Sequence, residues 1–168
     1  MTEITFQGKP IHTNGHLPEV GQKAPDFSLT NSKLVDVCLA TFAGKKKLLN
    51  IVPSLDTPTC AISARKFNEK ADHLKDTVVL MISADLPFAQ DRFCGKEGLK
   101  DVMPLSTFRS DFANDYGVMI TDGILAGLTA RAVMIIDEQD YVTYTQLVNE
   151  IADEPDYETA LEALRSQS

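Results

Sequence analysis

Residues 48–60 read LLNIVPSLDTPTC, an apolar run that changes abruptly into a loop of proline, serine, aspartate and threonine. The run 48–52 predicts a buried strand. Residues 58–74 predict a helix, because Thr57 is a favourable N-cap and Pro58 fits the first helical position. Apolar side chains then recur at helical spacing, at Cys60, Ala64, Phe67, Ala71 and Leu74. The stretch therefore predicts a strand, a loop and a helix in immediate succession.

The next apolar run, 78–83, predicts a second strand after this helix. A strand–helix–strand unit of this length implies a right-handed crossover and a parallel pair. Both strands are almost unbroken in their apolar residues, which is typical of a sheet covered by helices on both faces. Further along, 132–136 predicts a buried strand that pairs antiparallel with 141–145, and 157–164 predicts a closing helix.

Shorter elements complete the pattern. They are a hairpin around Gly8-Lys9, short strands at 26–29, 34–37 and 102–108, a helical turn at 39–42, and short helices at 87–94 (ended by Gly95) and 111–116. This order is typical of a thioredoxin-like α/β fold, a central mixed sheet flanked by helices, here with an N-terminal β-hairpin extension. We expect residues 1–168 to form a single domain.

The net charge of −8 argues against nucleic acid or an anionic membrane as a partner, since both require a basic surface. The basic run Lys45-Lys46-Lys47 is interpreted as a solvated turn. No apolar stretch approaches the roughly 20 residues of a membrane span. No secretory signal is visible, so we expect a cytoplasmic protein; a mature periplasmic chain would read the same way.

The three cysteines, Cys38, Cys60 and Cys94, are too few and too odd in number for a disulfide framework, and no pair is spaced as C-x-x-C. Cys60 falls in the first helical turn, where unpaired N–H groups and the helix dipole stabilise a thiolate, the reactive form of cysteine. It also follows the carboxyl end of a strand, where α/β sheets place their ligand crevice. The alternative is a small, buried packing cysteine.

Three other residues favour the reactive interpretation. The Thr57 hydroxyl can bond the backbone N–H of Cys60 or its sulfur. Arg131 stands at the edge of a buried strand, where a guanidinium can stabilise a thiolate and hold an oxygen-rich substrate, although a surface arginine is the alternative. Cys94 is positioned to resolve an oxidised first thiol, with a half-buried packing role as its alternative. His12, His16 and His73 are interpreted as solvated, which leaves a Cys–His acyl-transfer enzyme without a convincing base.

With these residues in place, the chain resembles the bacterial thiol peroxidases, atypical two-cysteine peroxiredoxins. The pattern P-x-x-x-T/S-x-x-C is matched by Pro53, Thr57 and Cys60, and it is followed by the block Leu86-Pro87-Phe88-Ala89-Gln90 and by Cys94. The likeness also runs through residues 6–8, 42–45, 49–54, 65–68, 82–85, 92–95, 105–109, 127–131 and 154–157.

The resemblance implies reduction of hydrogen peroxide and organic hydroperoxides, with no metal, haem, flavin or other cofactor. It assigns peroxide attack to Cys60 and resolution to Cys94, and it makes Pro53, Thr57 and Arg131 the substrate-binding residues. It also implies a Cys60–Cys94 intrachain disulfide, recharging by thioredoxin, and a homodimer. Pro58-Thr59 replaces the more usual Gly-Val, and the resemblance assigns no role to Cys38. The alternative function is a non-catalytic redox switch.

A disulfide requires its two Cα atoms to lie roughly 4.4–6.8 Å apart. A pocket that hides Cys60 well enough to activate peroxide is not expected to hold Cys94 within that range. We therefore expect disulfide formation to require local unwinding around 57–63, around 87–96, or both.

Overall fold

The computed structural model describes residues 1–71, 74 and 76–166. In chain order, the elements are β1 (Glu3–Phe6), β2 (Lys9–His12), β3 (Leu29–Thr30), β4 (Asp36–Val37), a 3-10 turn (Leu39–Phe42), β5 (Lys46–Ile51), α1 (Pro58–Ala71), β6 (Thr77–Ser83), α2 (Pro87–Glu97), β7 (Met103–Ser106), α3 (Phe112–Asp115), β8 (Ala132–Ile136), β9 (Val142–Leu147) and α4 (Tyr157–Arg165). Among these described residues, no helix is both long and apolar enough to cross a membrane.

The two apolar runs form neighbouring strands at the centre of a mixed sheet, whose described strands follow the order β4-β3-β7-β6-β5-β8-β9. β5 and β6 are parallel, with Leu48 opposite Val79. β8 lies antiparallel on the other side of β5, with Met134 opposite Leu49, and β9 pairs antiparallel with β8. The predicted thioredoxin-like sheet, with its central parallel pair, is confirmed.

Successive side chains of β5 point to opposite faces of the sheet. Leu48 joins a buried cluster on the face covered by α1 and α4, and Leu49 joins a second cluster on the other face, which α3 and the N-terminal segments cover. Phe67 is 1% exposed in the first cluster, and such burial contributes about 1.5–3 kcal/mol. The apolar stripe predicted along α1 thus holds this helix to the sheet, although the Ala71 side chain and His73 fall outside the described residues.

The N-terminal hairpin is confirmed, but its turn lies at Gln7-Gly8 rather than at the predicted Gly8-Lys9, because Lys9 is already in β2 and pairs with Phe6 of β1. Both turn residues have positive φ, 52° and 78°, which is the geometry of a tight two-residue hairpin turn. The hairpin is tied to the body because the Thr5 N–H donates to the Asn149 carbonyl at 2.7 Å.

The predicted end of α2 at Gly95 is wrong. The helix continues to Glu97 and ends at Gly98, which adopts a left-handed conformation with φ of 68°. The N–H groups of Gly98 and Leu99 both donate to the Cys94 carbonyl, which closes the last turn. Gly95 therefore lies inside the helix, and Cys94 lies in its final turns.

The prediction of a solvated basic turn at 45–47 holds for the exposed Lys45 but is wrong for Lys46 and Lys47, which begin β5 and are buried. The Lys47 ammonium lies 2.6 Å from an Asp140 carboxylate oxygen. The Lys46 ammonium donates to the Leu164 carbonyl at 3.3 Å, near the C-terminus of α4. Such partners offset the free-energy cost of burying a lysine ammonium. A run of lysines in the sequence does not show whether these partners exist.

Candidate active site

The loop between β5 and α1 carries the predicted site. Pro53 is buried, and α1 begins at Pro58, as the sequence predicts. The Thr57 carbonyl accepts the first helical hydrogen bond, from the Ala61 N–H at 3.0 Å. The expected bond of the Thr57 hydroxyl to the Cys60 N–H or sulfur is not the one formed. That hydroxyl instead donates to the Ser54 carbonyl at 2.9 Å and so closes the loop on itself.

Cys60 and Arg131 meet at the base of this loop. Cys60 is fully buried and Arg131 is 2% exposed, which excludes the alternative of a surface arginine. The Arg131 Nη1 donates to the Cys60 Sγ at 3.1 Å, and its Nε donates to the Ile151 carbonyl at 2.8 Å. A buried guanidinium is stable only when it is paired. This arrangement therefore places a cationic donor directly against the Cys60 sulfur.

Two further polar residues hold Cys60 in the first turn of α1. The Ser63 hydroxyl donates to the Cys60 carbonyl at 3.0 Å, and the Asn50 side-chain amide donates to the Ser63 hydroxyl at 3.3 Å. Both residues are buried. The sequence analysis did not select them, although an asparagine inside an apolar strand is an unusual residue that a search for buried polar groups finds.

The start of the loop is fixed from the β8 side by Thr129. Its hydroxyl donates to the Val52 carbonyl at 2.9 Å, and Thr129 is 1% exposed. Pro53 follows Val52 directly, so this bond sets the position from which the loop departs. The sequence carries no local signal for this contact, because the two residues are joined only by the tertiary fold.

Tyr157, in the first turn of α4, packs beside the helix that carries Cys60. Its ring packs edge-on against Phe67, with centroids 5.2 Å apart, and its hydroxyl donates to a Glu154 carboxylate oxygen at 2.8 Å. Burial raises the pKa of the Tyr157 hydroxyl, and the bond to Glu154 raises it further. The hydroxyl therefore stays protonated and neutral.

Cys94 belongs to α2, and this helix and the active-site loop enclose a cavity of about 440 Å³. The walls of this cavity come from the loop and first turn of α1 (Leu55, Asp56, Thr57, Pro58, Ala61) and from α2 (Ala89, Arg92, Phe93, Lys96, Glu97). Burial raises the pKa of the Cys94 thiol to about 11, and the negative charge of Asp91 adds to the rise. Cys60 and Cys94 are both free thiols, so the structure shows the pair in its reduced state.

Cys38 lies away from these elements, before the 3-10 turn that starts at Leu39. Its backbone N–H donates to the Thr41 hydroxyl at 3.0 Å, and its sulfur lies 3.8 Å from the same oxygen. These contacts give Cys38 a place in a local turn.

Comparison with known proteins agrees with this geometry. The family model described as Redoxin matches residues 19–161. A thiol peroxidase from Mycobacterium bovis is 54% identical over 164 residues, which cover 98% of this chain and 99% of the relative. These matches confirm the resemblance drawn from the sequence motifs.

Two solved structures are similar over nearly their full lengths. A peroxiredoxin-like protein from Aquifex aeolicus has a TM-score of 0.95 and 35% identity, covering 100% of this chain and 98% of that chain. A thiol peroxidase from Chromobacterium violaceum has a TM-score of 0.92 and 25% identity, covering 99% of this chain and 98% of that chain. The fold, the motifs and these relatives together show that the chain belongs to the redoxin family, among the peroxiredoxins of the thiol peroxidase branch.

Proposed function

We propose that this protein reduces hydrogen peroxide and organic hydroperoxides through Cys60. The observation that carries the proposal is the buried contact of 3.1 Å between the Arg131 guanidinium and the Cys60 sulfur. A guanidinium stabilises the thiolate and offers further N–H donors to an oxygen-rich substrate. The relatives named as thiol peroxidases support the same activity.

In the first step, the Cys60 thiolate attacks the terminal oxygen of the peroxide. A sulfur–oxygen bond forms, the oxygen–oxygen bond breaks, and the departing oxygen leaves as water or an alcohol after it takes up a proton. The sulfur is oxidised by two electrons to a sulfenic acid. The cation of Arg131 is placed to stabilise the charge that develops on the departing oxygen, with Thr57 and Pro53 shaping the pocket.

In the second step, the Cys94 thiolate attacks the sulfenic sulfur. A sulfur–sulfur bond forms, the sulfur–oxygen bond breaks, and hydroxide leaves to become water. Because the Cys94 thiol has its pKa raised to about 11 inside α2, few folded molecules carry the required thiolate at neutral pH. Unwinding of the helix around Cys94 removes this burial and lets the two sulfurs approach.

The packing of α2 supports unwinding on the Cys94 side rather than at Cys60. The most deeply buried residues of α2 are Pro87 and Gln90, both in its first half, whereas Phe93 and Cys94 are only partly buried. The second half contains Gly95, which lowers helix stability by roughly 1 kcal/mol relative to alanine. The first turn of α1, in contrast, is tied through Cys60 to Arg131 and Ser63. We propose that residues 91–97 open while α1 keeps its sulfur in place.

In the third step, a thiolate of thioredoxin attacks the Cys60–Cys94 disulfide, and its second thiol completes the exchange. This step returns both cysteines to the thiol state and leaves thioredoxin oxidised. We place this cycle in the cytoplasm, the compartment where thioredoxin keeps thiols reduced.

We also propose that the protein is a homodimer. Leu86, Phe88 and Phe108 are exposed by 51%, 69% and 43%. The Ser106 hydroxyl donates to the Asp85 carbonyl at 2.6 Å, which brings the segment before α2 next to the end of β7. Analytical ultracentrifugation should show a dimer, and Phe88→Asp should shift it toward the monomer.

Steady turnover tests the activity. Purified protein should consume many equivalents of peroxide when thioredoxin, thioredoxin reductase and NADPH are supplied, and Cys60→Ser should consume none above background. A redox switch would instead be oxidised once and recover slowly, with no sustained NADPH consumption. That second result would overturn the proposal.

A further inference from the structure

Asp85 occupies the short gap between the end of β6 and the start of α2, and its carboxylate reaches the active-site loop. One carboxylate oxygen accepts from the Ser54 hydroxyl at 2.8 Å. The other accepts from the Leu55 backbone N–H at 2.8 Å and from the Ser83 hydroxyl at 2.8 Å. Charge-assisted hydrogen bonds of this kind are roughly twice as strong as neutral ones. Asp85 thus fixes the position of Ser54 and Leu55, the two residues that directly follow Pro53.

These hydrogen bonds also affect the position of Cys60, because they continue through Ser54 and Thr57 to the start of α1. Ser54, held by Asp85, accepts the hydroxyl of Thr57 through its carbonyl at 2.9 Å. Thr57 in turn starts the helix that carries Cys60, since its carbonyl accepts the Ala61 N–H. A shift at Asp85 therefore moves the loop, the Thr57 hydroxyl and the entry of α1 together.

The same residue anchors the first half of the resolving helix. Asp85 directly precedes Leu86, the N-cap of α2. The Gln90 amide donates to the Ser83 hydroxyl and to the Leu105 carbonyl, both at 2.9 Å, and Gln90 is fully buried. Ser83 is thus shared by the Asp85 carboxylate and by Gln90, so one partly buried hydrogen-bond network connects the active-site loop with the start of α2.

We propose that Asp85 is a positioning residue for peroxide attack, one that holds the Pro53–Thr57 side of the pocket against the Cys60–Arg131 pair. This inference rests on the proposed function of Cys60. Reaction rates are sensitive to such positioning, because a displacement of about 1 Å can lower a rate by about 10²-fold.

The chemistry of the site specifies a carboxylate. The two oxygens of the Asp85 carboxylate accept three hydrogen bonds, from the Ser54 hydroxyl, the Leu55 backbone N–H and the Ser83 hydroxyl. An asparagine has one acceptor oxygen and an amide that donates. The Leu55 N–H cannot reverse its role, whereas the Ser54 hydroxyl can accept from the amide. Asp85→Asn should therefore keep some of these hydrogen bonds, and Asp85→Ala should lose all three.

The experiment measures two rates at Cys60 in a Cys94→Ser background, which isolates the first oxidation. Stopped-flow mixing gives the rate with hydrogen peroxide, and quenched alkylation gives the rate with iodoacetamide, an electrophile that needs no peroxide pocket. Asp122→Ala is the matched control. Asp122 likewise holds a backbone N–H and a side chain, both from His12 on the N-terminal hairpin.

We expect Asp85→Ala to lower the peroxide rate by about 10²-fold, with the alkylation rate unchanged or higher because the loosened loop exposes the sulfur. Asp85→Asn should fall between Asp85→Ala and the parent, and Asp122→Ala should keep both rates. A folded Asp85→Ala protein with a peroxide rate within about twofold of the parent would overturn the inference. So would equal losses in both rates, which indicate loss of the thiolate rather than of the pocket.

If Asp85→Ala does not fold, Ser54→Ala and Asp85→Asn decide the question as a double-mutant cycle on the peroxide rate. Non-additive losses support the inference, and additive losses overturn it. Slow oxidation of Cys60 in the parent itself is a different result, since it removes the proposed function and the inference together.

Discussion

The Nη1 atom of Arg131 lies 3.1 Å from the Sγ atom of Cys60, although 71 positions separate the two residues in the chain. The sheet brings them together. β8 runs antiparallel to β5, with Ala132 opposite Ile51, so Arg131 is delivered to the end of the sheet where the active-site loop departs. The predicted chemistry of both residues depends on this register.

Replacement of Arg131 should slow the first oxidation step. Arg131→Ala removes a buried donor aimed at the reacting sulfur, and the loss of one such donor costs about 10²–10³-fold in rate. Arg131→Lys should also be slow, because lysine keeps the charge but not the forked donors that reach both Cys60 and the Ile151 carbonyl. The rate is measured by stopped flow with hydrogen peroxide.

Arg109→Ala is the control for this prediction. Arg109 pairs with Asp36 at 2.9 Å and is 46% exposed, so its removal should leave the rate unchanged. An Arg131→Lys protein as fast as the parent would show that charge alone is sufficient and that the fork has no role.

Loss of Cys94 should affect a different step. Cys94→Ser should keep the first oxidation fast, stop thioredoxin-dependent cycling, and let the sulfenic acid accumulate, which a sulfenic-acid probe and mass spectrometry detect. Cys38→Ser should cycle normally, since Cys38 contacts Thr41 in its own turn. Normal cycling of Cys94→Ser would assign resolution to Cys38 or to another subunit.

The pH dependence of the rate of disulfide formation should show whether Cys94 reacts from the folded helix or from unwound α2. The pKa of the Cys94 thiol is raised to about 11 in the folded helix, mainly by burial, against about 8.5 for a free thiol. Attack from unwound α2 predicts a midpoint near the free value, whereas attack from the folded helix predicts one near 11. The measurement is the fluorescence or mass-detected rate of disulfide formation after a single peroxide pulse.

The sign of the linked stability follows from the same pKa. A raised pKa means that the folded helix favours the protonated thiol. The contribution of the Cys94 thiol to the stability of folded α2 is therefore fully present below about pH 8.5, and it is lost as the pH rises toward 11. Local opening of α2 should therefore increase over this range. A midpoint near 11 for disulfide formation would contradict unwinding as the route.

Hydrogen exchange should locate the opening. After oxidation to the disulfide, amides of residues 91–97 should exchange faster, while those of β5 and β8 stay unchanged, because those strands lie in the centre of the sheet. Cys94→Ser oxidised to the sulfenic acid is the control and should exchange like the reduced protein in α2. Equal exchange of α2 in the reduced and disulfide states would make the unwinding hypothesis wrong.

Local sequence signals were enough to predict most of the fold. Unbroken apolar runs predicted the central strands, and spacing at Cys60, Ala64 and Phe67 predicted the face of α1 that packs on the sheet. Element ends were weaker, since two glycines compete to end α2. Gly98, not Gly95, adopts the left-handed conformation that closes the last turn. The prediction that residues 1–168 form one domain remains a prediction.

In the candidate site, too, features set by local sequence were predictable, whereas features set by tertiary contacts were not. The placement of Cys60 and Pro58 was predictable because it follows from position in one helix, and Arg131 could be selected because a charge beside a buried strand is unusual. The supporting contacts were not predictable, since Thr129 with Val52 and Asp85 with Ser54 are joined only by the tertiary fold. The Thr57 hydroxyl was assigned the wrong partner, because its local choice of the Ser54 carbonyl depends on the loop conformation.

The most direct test of the account is a single-turnover reaction of the reduced protein with one equivalent of hydrogen peroxide, followed by stopped flow and by mass spectrometry of the quenched product. We predict rapid consumption of the peroxide, on the order of 10³-fold or more faster than with Cys60→Ser, and a product that carries one Cys60–Cys94 disulfide. Consumption no faster than that of Cys60→Ser, or a product with Cys60 still reduced, would contradict the account.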